Sequence, residues 1–393
     1  MSAQDNYYQN DALAHATRTI TTQRKAQASV IKIAFAIIGI LIAVGLGLLV
    51  LLVIGIETGP VAFLLGFFAA TIPVPIYVIL VLWIDRYESE PFWMLATAFF
   101  WGALVATFFA FLLNTTGGMV VSALLGNQTA GETFALVISA PIVEETGKAA
   151  ILFLFFFFKK DEFDGVIDGI VYAALVALGF AMTENVLYYG KAALGGGGQL
   201  TTTFVLRGAL APFSHPLFTS MTGIGLGLAR QTTKLGVKLV TPILGLMMAI
   251  FLHSIWNGSG AIFGGAVFLL TYVLIMVPAF LILLVVVGVA LNREGRVVRE
   301  YLLSDLQRGL FTRQEYDELG SVFGRMGSSF NALTQRGVQG WRSRRRFNQL
   351  ASELAFHRSR VSRGLHSAKD DINQIDEAYV HLLQSLANEV RSP

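Results

Sequence analysis

Cysteine is absent from the 393 residues, which excludes disulfides, thiolate metal sites and a thiol nucleophile. Charge is scarce: 14% of residues are Asp, Glu, Lys or Arg, against about 25% in a soluble protein. No HExxH pair occurs, so the common zinc-protease helix is excluded. No serine–histidine–acid order stands out, and no long internal repeat. Residues 1–29 contain Arg18, Arg24 and Lys25 but lack the short apolar core and small-residue cleavage site of a signal peptide. The apolar run that follows is therefore read as a retained first helix.

What is abundant is hydrophobic: 54% of the chain, with a mean hydropathy of +0.61. Crossing the hydrocarbon core takes about 20 apolar residues, and eight runs qualify, at about 30–56, 60–84, 91–113, 133–158, 165–189, 203–230, 239–257 and 261–291. The weakest is the sixth, which contains Arg207, Pro212, His215 and Pro216. The linker 114–132 reads as a loop or short surface helix, and the glycines at 195–198 as a flexible external loop. Loops on one side carry Arg86, then Lys159 and Lys160, then Arg230, Lys234 and Lys238, whereas the opposite loops carry only Lys191. The basic side is the cytoplasm. The expected fold is thus an all-α, polytopic membrane bundle of about eight spans with both termini cytoplasmic. It divides into an N-terminal segment 1–29, a membrane domain 30–291 and a helical cytoplasmic tail 292–393. Within the tail, Arg342, Arg344, Arg345 and Arg346 form either a solvated basic face or a site for anionic lipid headgroups.

The fourth to seventh spans hold ionisable residues: Glu144, Glu145, Lys148, Asp168, Glu184, Arg207, His215 and His253. Each costs about 2.5–3.5 kcal/mol at the centre of a span. Glu144, Glu145 and Lys148 together would cost roughly 8–10 kcal/mol if uncompensated, comparable to the about 5–15 kcal/mol of a whole domain. They must pair with one another or face a wet cavity. At a rise of about 1.5 Å per residue, Glu144 and His215 lie about 17–18 Å below the outer ends of their helices. Glu184 and His253 lie about 6–8 Å below theirs. All four fit one site in the outer half of the bilayer. Glu144 and Lys148 stand at i, i+4 in the better order for an ion pair. His253 and Asn257 share one face, and Phe180, Glu184 and Tyr188 share another. Asp168, nearer the cytoplasmic end, is expected to pair with Tyr172 and to be structural. Pro141, Pro212 and Pro216 mark where freed backbone carbonyls meet the cavity.

This chemistry fits three classes. Two histidines and a glutamate can hold a catalytic zinc with one position open, with His215, His253 and Glu184 as the candidate set. A metal-free route uses a carboxylate as general base to water, with His and Asn donors at the oxyanion. Intramembrane Glu and His chains also serve ion- or proton-coupled transporters, and polar residues hold helices together. The residues alone leave a hydrolase, a transporter and a structural role open. The adjacent acids are the sharpest feature, because interhelical hydrogen bonding has little use for two.

Four segments narrow this. "EETGK" at 144–148, "FAMTEN" at 180–185, "RGALAPFSHP" at 207–216 and "HSIWN" at 253–257 resemble, in order and placement, the motifs of the PrsW family of intramembrane proteases. "DRYESEP" at 85–91 resembles that family's segment before the third span. The likeness covers roughly residues 60–290 and extends to the CAAX-processing and Abi proteases. It implies hydrolysis of membrane-anchored proteins, anti-sigma factors among them, in a bacterial plasma membrane. It also implies Glu144, Glu145, Glu184, His215, His253 and Asn257 as catalytic residues, with Lys148, Asn185 and Arg207 in support. A divalent metal such as zinc is compatible with these residues and not required by them. No nucleic-acid partner is expected; the bilayer and a membrane-anchored substrate are.

Overall fold

The computed structural model describes residues 30–160, 162–364 and 372–391; the expected N-terminal segment 1–29 lies outside them. The described residues form helices and no strand. In chain order these are α1 (Val30–Thr58), α2 (Pro60–Ile84, interrupted at 72–73), α3 (Phe92–Leu125), α4 (128–158), α5 (Val166–Leu194), α6 (197–210), α7 (Ser214–Arg230), α8 (Leu235–Phe263) and α9 (Gly265–Gln307). The tail adds α10 (Arg313–Leu319), α11 (Val322–Ser362) and α12 (Ile372–Arg391).

Among the described residues six helices are long and apolar enough to cross a membrane: α1 over Phe35–Thr58, and α2, α3, α5, α8 and α9. The expected fourth and sixth spans are helical but fall outside that count. α4 carries Glu144, Glu145 and Lys148 within its apolar stretch. The sixth is broken at 211–213 into α6 and the 17-residue α7. The linker 114–132 is not a loop, since α3 continues through it to Leu125. α6 begins inside the glycine run, at Gly197.

Phe35–Asp85 with Glu90–Val287 forms one compact unit. α5 is its centre, with 94% of its most apolar stretch buried, whereas α1, α2, α8 and α9 bury at most 22%. Those outer faces are what lipid covers. Two seams bring neighbours onto α5. At Gly223 of α7 a methyl group would fall 2.1 Å from the Gly169 carbonyl oxygen, and at Gly102 of α3 one would fall 1.9 Å from that of Val176. Small residues permit such close backbone approach in a bilayer, where packing rather than water drives association. Asp168 caps the start of α5, accepting from the amides of Asp164 (2.8 Å) and Gly165 (2.7 Å). The expected Asp168–Tyr172 pair does not form; Tyr172 donates to Glu90 instead.

Among the described residues three of the four π-helical stretches precede a proline; the fourth, Trp101–Ala106, does not. The π-helical stretches 135–139, 205–210 and 272–276 each end two residues before a proline, at Pro141, Pro212 and Pro278. A proline ring clashes with the carbonyl four residues back and offers it no N–H. A wider turn relieves that clash. Such bulges concentrate at functional sites, and two of these three enter the cluster described below.

Arg86–Ser89 and the described residues of Gly288–Pro393 form a second compact unit. Tyr87 is buried in it under the Arg325 guanidinium (4.9 Å), which also donates to the Arg86 carbonyl (3.0 Å). Arg360 pairs with Glu88 (3.0 Å), and Arg358 joins Asp305 to Asp376. The tail is helical, as expected.

Replacing Gly223 by leucine should destabilise the protein by about 1–3 kcal/mol or more, lowering the thermal midpoint in detergent micelles. A second expectation concerns Asp85, a buried carboxyl that accepts from the Glu90 amide (2.9 Å). Burial pushes its pKa up to about 7, against the pull of that hydrogen bond. Between pH 4 and 7 the folded chain keeps a proton that the unfolded chain releases, so stability falls as pH rises. Asp85→Asn should therefore be more stable than wild type at pH 8 by up to about 4 kcal/mol, read as a higher thermal midpoint, with the gain vanishing towards pH 4. A gain independent of pH would refute this.

Candidate intramembrane active site

α4, α5, α7 and α8 meet around the Lys148 ammonium. Its three N–H groups have three acceptors: Glu145 Oε1 (2.8 Å), His215 Nδ1 (3.2 Å) and Glu144 Oε2 (3.4 Å). The Phe180 ring lies beneath it, 3.9 Å to the centroid. Lys148 and Glu145 are fully enclosed, and Glu144, His215 and His253 are buried. The i, i+4 pair is thus present, but the tighter partner is Glu145, at i+3 from Lys148's side of the turn.

The two acids are held very differently. Glu145 has three contacts: Lys148 and His253 Nδ1 (3.0 Å) share Oε1, and Thr219 Oγ1 donates to Oε2 (2.8 Å), so both oxygens are engaged. Glu144 makes contacts only through Oε2, to Lys148 and, at 3.9 Å, to His253 Nε2. Its Oε1 is left without a hydrogen bond among the described residues. Thr219 is a site residue that the motif reading passed over. Its position four residues after His215, on the same helix face, was the available signal.

Each histidine is steadied by a glutamate on one ring nitrogen. Glu145 takes His253 Nδ1, and Glu184 takes His215 Nε2 (3.0 Å). Phe218 stacks on His253 at 5.0 Å. The remaining nitrogens face Glu144 and Lys148, so that ligand atoms of Glu144, His215 and His253 lie within 4.8 Å of one another. Two imidazoles and a carboxylate, backed by two further carboxylates, match the donor chemistry of a catalytic zinc site with its outer partners. The charge balance agrees: among the described residues Glu144, Glu145 and Glu184 face Lys148 and Arg207 as fixed cations, three acids to two bases. The donor set differs from the sequence expectation. Glu144 takes the third place, because Glu184 is bound to the Arg207 guanidinium.

Arg207 also donates to Asn185 Oδ1 (2.6 Å) and lies over Tyr188 (3.8 Å). Arg207 and Asn185, two of the three residues expected in support, thus lie beside Glu184. Asn257 does not join the cluster. It donates to the Leu136 carbonyl (2.9 Å), closing the widened turn before Pro141. A cavity of about 40 Å³ opens beside His215, lined in part by Tyr77, Asn185, Arg207 and Trp256. It has room for a few waters, and the buried Tyr189 hydroxyl on its wall has no hydrogen-bond partner.

Lys148→Met should leave two acids facing each other and cost about 3–5 kcal/mol. Adding Glu145→Gln should restore part of that loss. Additive thermal shifts would show that the pair is not coupled.

Comparison with known proteins agrees with this geometry. Residues 90–283 match the family described as PrsW family intramembrane metalloprotease. "Protease PrsW" of Geobacillus kaustophilus is 36% identical over 152 residues, 38% of this chain and 60% of that protein. "Protease PrsW" of Oceanobacillus iheyensis is 31% identical over 173 residues, covering 43% and 71%. The Bacillus subtilis protein of that name is 33% identical over 178 residues, covering 44% and 72%. No solved structure matches. With residues 90–283 as the matched part, the chain belongs to the PrsW family of intramembrane metalloproteases, whose members are peptidases.

Proposed function

We propose that this multi-pass membrane protein is an endopeptidase cutting membrane-anchored proteins near the external face of the plasma membrane. In this reading α4 and the α6–α7 pair complete eight crossings, with both termini cytoplasmic. Six clearly apolar helices among the described residues support it, as do basic residues concentrated in alternate loops, with Lys191 alone on the other side.

The observation that carries the chemistry is the unequal treatment of the acids. Glu145 is saturated with donors and is the fixed anion that orients His253 and Lys148. Glu144, with one oxygen free, is the group that takes the proton of the attacking water and returns it to the leaving amine. Lys148 gives its N–H groups to Glu144, Glu145 and His215, so it holds charge in place; a metal on His215 Nδ1 would take the place of the third of these bonds. The N–H of each histidine is committed to a carboxylate, and Asn257 is committed to Leu136. None of them is free to steady an oxyanion, which favours the metal-assisted route over the metal-free one. Held by Glu144, His215 and His253, a divalent cation such as zinc would supply Lewis-acid polarisation of the scissile carbonyl and of water. Glu184 and Arg207 act as a positioning pair for His215. A single-span anti-sigma factor is the first substrate class to try.

The purified protein with tagged single-span substrates tests this. Glu144→Gln should lower cleavage by at least about 10²-fold without lowering the thermal midpoint. Elemental analysis should find bound metal that His215→Ala and His253→Ala lose. Glu184→Gln should weaken metal binding by about 10–100-fold. Parental cleavage by Glu144→Gln would end the site assignment, and an active, chelator-insensitive apoprotein the metal arm. Proton flux in liposomes without any cleaved product would favour a transporter.

A further inference from the structure

In residues 322–336 of α11 the polar side faces inward. Arg325 and Ser328 are buried, with Arg325 donating to Ser352 and Asn348 reaching Ser328. Phe323, Met326, Phe330 and Leu333 stand exposed, Phe323 at 78% and Phe330 at 63%. Their spacing of three, four and three puts them on one helix face. A helix bordering water shows the opposite arrangement, so this face calls for an apolar partner.

The neighbouring chain indicates which one. Gly337 (φ 65°) ends this part of the helix, and Arg342, Arg345 and Arg346 follow, all exposed. Arg345 stacks on Trp341 at 4.9 Å. Arg344 is excluded from this group because Glu315 and Glu318 hold it. The same compact unit begins in the last membrane-crossing helix and includes Arg86–Ser89, which the chain joins at both ends to membrane-crossing helices. A lipid surface is therefore always within its reach. An apolar face followed in the chain by an exposed arginine group is the composition of an interfacial segment on anionic lipid. A second copy of the chain would bring the same positive charge and be repelled.

We propose that residues 322–346 dock on the anionic leaflet, with Phe323, Met326, Phe330 and Leu333 entering the acyl boundary and Arg342, Arg345 and Arg346 meeting the headgroups. The absence of cysteine makes the test direct. Full-length Phe330→Cys and Ser385→Cys proteins, labelled with a polarity-sensitive fluorophore, are reconstituted in phosphatidylglycerol–phosphatidylcholine liposomes; Ser385 is exposed on α12 and serves as control. Lipid spin-labelled near the headgroups should quench the label at 330 about threefold more than that at 385. Pure phosphatidylcholine, or Arg342→Glu with Arg345→Glu and Arg346→Glu, should remove at least about half of that difference. Equal quenching at the two positions would overturn the proposal. So would intermolecular crosslinking through position 330 in lipid-diluted samples, which would make a second copy the occupant. Cleavage is not measured, so neither result bears on the protease assignment.

Discussion

An ammonium cannot sit alone among membrane helices, and the arrangement of the site follows from how Lys148 is satisfied. Three N–H groups need three acceptors, and the chain supplies Glu144 and Glu145 from its own helix and His215 from α7. That choice orients the His215 ring, whose far nitrogen then requires Glu184. Glu184 in turn requires Arg207, and Arg207 requires Asn185. On the other side Glu145 sets His253. A buried network of this kind is stable only when complete, because each missing partner leaves charge in low dielectric. Among the described residues two carboxylate oxygens of the network take no hydrogen bond, Glu144 Oε1 and Glu184 Oε1; of the two acids Glu144 is the one grouped with His215 and His253, and that is where chemistry has room.

The backbone has been loosened in the same region. Pro141 and Pro212 widen the helices that carry Glu144 and Arg207. Carbonyls released by such distortions must find donors within the protein. Asn257 serves Leu136, Tyr77 serves Gly208 and Tyr272 serves Leu210. Polar side chains near the site therefore divide between chemistry and backbone repair. Asn257, one turn from His253, belongs to the second group.

The sequence made this site legible because the cost of a charge in hydrocarbon leaves few reasons to retain one. Glu144, Glu184, His215 and His253 could be grouped from depth, Glu145 and Lys148 followed from their spacing to Glu144, and the motifs added Arg207 and Asn185. Helical spacing locates a face but not the rotamers across an interface. It therefore favoured Glu144 as the partner of Lys148 and Glu184 as the third metal donor, whereas Glu145 is the closer partner and Arg207 occupies Glu184. Thr219 escaped because a threonine in a span has a local use, bonding its own helix. The count of eight spans shows the reverse limit. The charges that mark the site also remove α4 from any census by hydropathy, and the break at 211–213 divides α6 from α7.

The Tyr272–Leu210 hydrogen bond sets an order of assembly. α6 leaves the ribosome some 60 residues before α9, a few seconds at about 5–20 residues per second. During that interval the Leu210 carbonyl has no tyrosine to receive. The broken segment can reach its mature state only once the last hydrophobic helix has been threaded into the bilayer, so a nascent enzyme remains unfinished until its membrane portion is whole.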